Sequence, residues 1–154
     1  MSRGLGDVYK RQVRILKTSA GSGGQFFTVA DLKKFANAVM DKSKALYSKN
    51  IFSEAEKNQL KNIDEAWGLG WLYVDEKYHQ TGKLFPVGSF GHCGHTGTSM
   101  FFNREKKMYV IILTNATRFL NMKNSFNGYD YGIIEKMRED IHNAIFEDIK
   151  RMEI

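Results

Sequence analysis

One cysteine and one proline in 154 residues leave little scope for covalent or conformational stapling. The lone thiol, Cys93, excludes an intrachain disulfide and leaves the redox compartment open. Long apolar runs are missing as well. The longest, about Tyr109 to Leu113, falls far short of the ~20 residues that cross a bilayer, and no signal-peptide apolar region follows Met1. No transmembrane segment is therefore expected. Also missing is any stripe of interleaved basic and aromatic residues. The formal charge is +6, from 23 Lys and Arg against 17 Asp and Glu, yet the bases are scattered with acids between them. That pattern describes a solvated surface, so no nucleic-acid partner is expected. What the chain does have is core material: 42% hydrophobic and 13% aromatic residues, enough for one globular domain.

Residues 1–12, MSRGLGDVYKRQ, show neither helical nor strand period and no cap. The string resembles a translated sequencing adapter, so it reads as a non-native leader, with the genuine domain beginning at residue 13. Arg3, Lys10, Arg11 and Asp7 of this leader account for two of the six net charges. Ser19 to Gly24 is a flexible turn that lacks the Lys-Ser/Thr ending of a phosphate-binding loop. A helix should then start at Thr28. Asp31 completes a capping-box-like pair with it, and Leu32, Phe35, Ala36, Val39 and Met40 follow at helical spacing. Ser53 with Glu56 signals a second, shorter helix toward Leu60.

From Trp67 the period shortens. WGLGWLYVDEKYHQ, KLFPVGSF, TSMFFN and MYVIILTN read as strands, with Asn103 to Lys107 a polar hairpin connection. Tyr109 to Thr114, apolar on both faces, is expected to be an inner strand. A closing helix from about Tyr131 to Met152 carries Ile134, Met137, Ile141, Ile145, Ile149 and Met152 as one stripe, with His142 expected at the surface. Helices, antiparallel strands and a final helix make the fold class α+β, an antiparallel sheet flanked by helices.

The chemistry concentrates in Phe90 to Ser99, FGHCGHTGTS. Glycine weakens a strand interior, so Gly91, Gly94 and Gly97 point to close approach by a ligand or by another stretch of backbone. A zinc set is not expected. A strand places His92 on one face and Cys93 with His95 on the other, two ligands are too few, and His79 would have to join from elsewhere. Cys93 as a catalytic thiol would need a base and an orienting group, and only His95 shares its face. Trp67, Trp71, Phe101 and Phe102 read as core or cleft wall, and Asn115 as a turn residue.

Three segments occur in an order that resembles the C-terminal part of the serine β-lactamase and penicillin-binding-protein superfamily, in its class C β-lactamase, esterase and D-alanyl carboxypeptidase-like branch. AGSGGQFFTVADLKKFANAVM is similar to that branch's AGG-x-x-S-T-x-x-D-L-x-x-F segment, WGLGW to its YGLGW strand, and GHCGHTGTSMFFNREKKMYVIILTN to its GH-T-G-x-T-G-T-S hairpin. The likeness covers about residues 19–150 and implies the C-terminal portion of the α/β domain of that fold. It makes His92-Cys93-Gly94 the counterpart of the family's Lys-Thr-Gly or His-Thr-Gly triplet, because only that register puts Thr96-Gly97 on the second Thr-Gly. His95-Thr96-Gly97 is the competing register. The implied roles are His92 as a catalytic cation or imidazole and the His95 backbone N–H as oxyanion donor, with Cys93, Gly94 and Thr96 binding substrate. Cys93 replaces a threonine whose hydroxyl helps hold a substrate carboxylate.

The family's nucleophile and base are absent. No Ser or Thr is followed three residues later by Lys, and no Tyr by x-Asn. The resemblance therefore implies a parent hydrolase that forms an acyl-enzyme on an ester, amide or β-lactam, its substrate a small molecule or peptidoglycan-like. It also implies a parent in the cell envelope or outside the cell, no cofactor, and a portion that is inactive alone and prone to self-association through an exposed sheet edge. A non-catalytic binding or half-domain module of the same fold is the alternative.

Overall fold

A computed structural model of the chain describes residues 26–63, 66–77, 81–94, 96–115 and 131–152. The expected leader, the Ser19 to Gly24 turn, His79 and His95 lie outside the described residues. Helix α1 spans Val29–Met40 and α2 spans Lys49–Ala55, with a 3-10 turn at Lys61–Ile63. Four strands follow, β1 (Leu72–Tyr73), β2 (Phe90–Cys93), β3 (Ser99–Asn103) and β4 (Met108–Ile112), and helix α3 (Tyr131–Met152) closes the order.

Helix α1 begins where its caps dictate. The Thr28 hydroxyl accepts from the Asp31 N–H at 3.2 Å, and the Asp31 carboxylate accepts from the Thr28 N–H at 3.2 Å and from its hydroxyl at 2.7 Å. These bonds hold the Asp31 carboxyl below its usual range. Helix α2 starts earlier than Ser53: Ser48 caps it by accepting from the Ile51 N–H. Ser53 instead bonds back to the Lys49 carbonyl inside the helix, a use of serine that imitates a start signal in sequence.

The strands form an antiparallel meander in the order β1-β2-β3-β4. Phe90 pairs with Phe102, His92 with Met100 and Cys93 with Ser99; Phe101 pairs with Val110 on β4. Period two then sorts the side chains into two layers. Phe90, Met100, Phe102, Tyr109 and Ile111 face α1 and α2 through Ala36, Val39 and Phe52. Cys93, Phe101, Val110 and Ile112 face α3 through Phe146 and Ile145, with Phe85 filling between. The result is α+β, a sheet with helices on both faces.

Two expectations are corrected here. The segment read as an inner strand covered on both sides is β4; helices do cover both of its faces, but among the described strands it is an edge, paired with β3 alone. KLFPVGSF is mostly turns, and only Phe90 enters a strand. Pro86 lacks an N–H to donate, and its carbonyl takes the Ser89 hydroxyl at 2.6 Å, which closes a tight turn instead.

The glycines of the 90–97 segment serve the chain's own packing. A Cβ on Gly91 would stand 2.3 Å from the Met100 carbonyl and 2.4 Å from the Phe101 ring. Gly97 sits at φ +90°, where other residues are strained. Gly91→Ala is expected to destabilise the fold by about 2–3 kcal/mol, because the sheet backbone cannot yield as a flexible side chain would. Urea unfolding monitored by tryptophan fluorescence measures this, and a shift below half a kcal/mol would refute the packing account.

Candidate active site

Strand β2 ends in a tight reversal that returns the chain as β3. The Gly94 N–H donates to the Thr98 carbonyl at 2.7 Å, and the Gly97 N–H to the Gly94 carbonyl at 3.1 Å. A Cβ on Gly94 would fall 2.0 Å from the Thr98 hydroxyl, so any larger residue there would have to turn that hydroxyl aside. The Thr96 carbonyl accepts from the Thr114 hydroxyl at 2.6 Å, tying the reversal to the end of β4. His95 is flanked by these bonded residues and lies outside those described.

His92 stands exposed on the face opposite Cys93, as alternation along a strand requires. Its Nδ1 lies 2.8 Å from the Cys93 carbonyl, and its ring meets the Trp67 ring edge-on at 6.0 Å. A carbonyl only accepts, so this bond assigns a proton to Nδ1 and leaves Nε2 of the neutral ring as an acceptor. Trp67 is thereby a wall beside the imidazole, held by a bridge to Leu72.

Cys93 turns the other way, into the layer beneath α3, and is half-buried. Burial pushes its thiol up to about 11, against the pull of the nearby Arg138 guanidinium and with a further rise from Glu135. A thiol in that state is neutral at physiological pH and is not a nucleophile. Opposite it, the Ser99 hydroxyl is buried without a hydrogen-bond partner.

The sequence reading missed Arg138. It is 3% exposed, and its Nε and Nη1 have no hydrogen-bond partner. His142, expected at the surface, is fully buried instead, with its ring 4.9 Å from Phe85 and 5.9 Å from Phe101 and both nitrogens unpartnered. The centre of the α3 face is thus Ile134, Arg138, His142 and Phe146 at four-residue spacing, while the isoleucines flank it and Met152 is exposed. Four-residue spacing was the available signal; hydrophobicity alone hid it, because two of the four residues are polar.

These features define a sheet whose second strand presents an imidazole on one face and, on the other, a thiol backed by a buried guanidinium. Residues 2–125 match the Beta-lactamase family model, and the chain belongs to the β-lactamase family. Among solved structures it is similar to a β-lactamase from Mycobacterium bovis, at 21% identity and a TM-score of 0.61. The likeness covers 79% of this chain and 44% of that one, and at such identity it establishes the fold. The chain spans less than half the length of that neighbour. No curated protein matches it.

Proposed function

We propose that this chain is the C-terminal portion of a serine hydrolase related to the β-lactamases, one that acts on an ester, amide or β-lactam through an acyl-enzyme. The observation that carries the reading is the coincidence of the family match with an exposed histidine at the end of β2, followed by the Gly94 to Thr98 reversal. In the parent, a serine hydroxyl attacks the acyl carbon, the leaving group departs with a proton, and water releases the acyl group. His92 would polarise that site through Nε2, and the His95 N–H would donate to the developing oxyanion, a contribution of about 10²–10³ in rate. Gly94 and Thr96 belong to the wall that the substrate passes, and Cys93 closes it from beneath. The substrate is a small molecule or peptidoglycan-like.

With neither Ser-x-x-Lys nor Tyr-x-Asn in the sequence, this chain alone should not turn over. Nitrocefin and p-nitrophenyl acetate test this directly. The expected result is no burst and no acyl adduct in the intact mass. A stoichiometric burst with an adduct mapped to one of its own Ser or Thr residues would show that the chain has a nucleophile, and would overturn the reading.

A further inference from the structure

We propose that the groove between α2 and β1 is a binding site for the phosphate group of a soluble small molecule, separate from the His92 segment. The groove has a volume of about 530 Å³ and is lined by Lys42, Ser53, Lys57, Asn58, Lys61 and Tyr73, with Glu56 and Gly88 at its walls. It is open to solvent, with Ser53, Lys57 and Lys61 exposed along it.

Charge decides its chemistry. The single carboxylate among the described lining residues, Glu56, is neutralised by a fork of two hydrogen bonds from Arg104. Lys57 is matched by Glu54 at 2.6 Å. Lys42 and Lys61 are left, and neither has a carboxylate partner among the described residues; the Lys42 ammonium reaches only the Ser53 hydroxyl, at 3.3 Å. Among the described residues these are two ammonium groups without a carboxylate partner, and with the Tyr73 hydroxyl and the Asn58 amide as further donors they match a dianion with several acceptor oxygens. A phosphate monoester has both properties.

The probe is inorganic pyrophosphate, titrated by calorimetry at constant ionic strength. Because the chain carries a net charge of +6, diffuse attraction must be separated from a site. Lys42→Gln with Lys61→Gln should weaken binding about tenfold, whereas Lys33→Gln with Lys34→Gln on α1, the same change in net charge, should change it less than about twofold. These lysines are not in the apolar layers, and unchanged melting temperatures confirm that each variant is folded. Equal weakening in the two pairs, or no measurable binding up to on the order of 10 mM, overturns the proposal. Vesicles of phosphatidylcholine with phosphatidic acid form the second arm. Recruitment that Lys42→Gln with Lys61→Gln abolishes, in a chain that does not bind pyrophosphate, would assign the groove to a lipid headgroup and overturn the soluble ligand.

Discussion

Arg104→Ala should lower the unfolding free energy of the chain by about 3 kcal/mol, the largest loss expected from any single side chain outside the apolar core. Arg104 lies in the β3–β4 reversal, yet it reaches across to both helices on that face of the sheet. Its Nε donates to Glu56 at 2.6 Å, Nη2 donates to the other Glu56 oxygen and to the Val39 carbonyl at 2.9 Å, and Nη1 donates to the Met40 carbonyl at 2.7 Å. Those two carbonyls are in the last turn of α1, where the dipole favours a cation; the Val39 carbonyl also accepts from the Lys42 N–H at 3.0 Å. The guanidinium also lies over the Phe90 ring at 5.4 Å and near the Phe52 ring at 6.0 Å.

Truncation therefore removes one hydrogen-bond hub from three elements at once and leaves Glu56, whose side chain is only 11% exposed, as an unpaired carboxylate. The residual exposure of both partners places the estimate at the lower end of what breaking a buried pair costs. Arg104→Lys should recover less than half of the loss, because an ammonium cannot reproduce the planar fork. A double-mutant cycle with Glu56→Gln, read from urea midpoints, measures the coupling. A coupling below about half a kcal/mol would reduce Arg104 to a surface ion pair of the ordinary weak kind.

Arg104 also marks where sequence reading reached its limit. The polar run Asn103 to Lys107 was readable as a hairpin connection, and the capping box at Thr28 and the span of α3 were readable from local chemistry. The α+β class was readable from the order of helices, antiparallel strands and closing helix, and the resemblance to the β-lactamase superfamily narrowed it to that fold. Nothing local, however, says that one arginine of a polar run points back at a glutamate 48 residues earlier. Such partners are fixed by sheet register, and register emerges only when both faces of the sheet are packed. The same limit applies at Gly91. Its glycine was visible as a close-approach signal, but the alternation of β3 decides that the approaching group is the Phe101 ring. At the candidate site, opposite facing of His92 and Cys93 followed from strand alternation alone, whereas the guanidinium behind Cys93 comes from a helix 45 residues onward, where four-residue spacing was its only signal and nothing tied it to Cys93.

His142 gives the second large effect, through pH. Burial pushes its imidazole down to about 4 from an ordinary value near 6.5; the Arg138 carbonyl one turn earlier opposes that shift slightly and the Arg138 guanidinium reinforces it. The fold thus prefers the neutral ring. Below pH 6.5 the unfolded chain takes up a proton that the folded chain refuses until about pH 4, so stability is complete above about pH 7 and falls as the pH drops through that window. The full difference corresponds to about 3 kcal/mol. Asp31, whose carboxyl is lowered, loses its contribution only below its ordinary value of 3.8, so the two acid effects fall in separate ranges. His142→Phe keeps a ring between Phe85 and Phe101 and removes two buried nitrogens that lack partners. Its stability at pH 7.5 should lie within about 1–2 kcal/mol of the parent, the range of a near-isosteric core exchange. Between pH 7 and 4 its urea midpoint should be nearly flat while that of the parent falls steadily. Parallel slopes in the two proteins would place the acid-sensitive group elsewhere. A flat parent would mean that the imidazole escapes to water on protonation without loosening α3, which the packing of Phe85, Phe101 and Arg138 around it argues against.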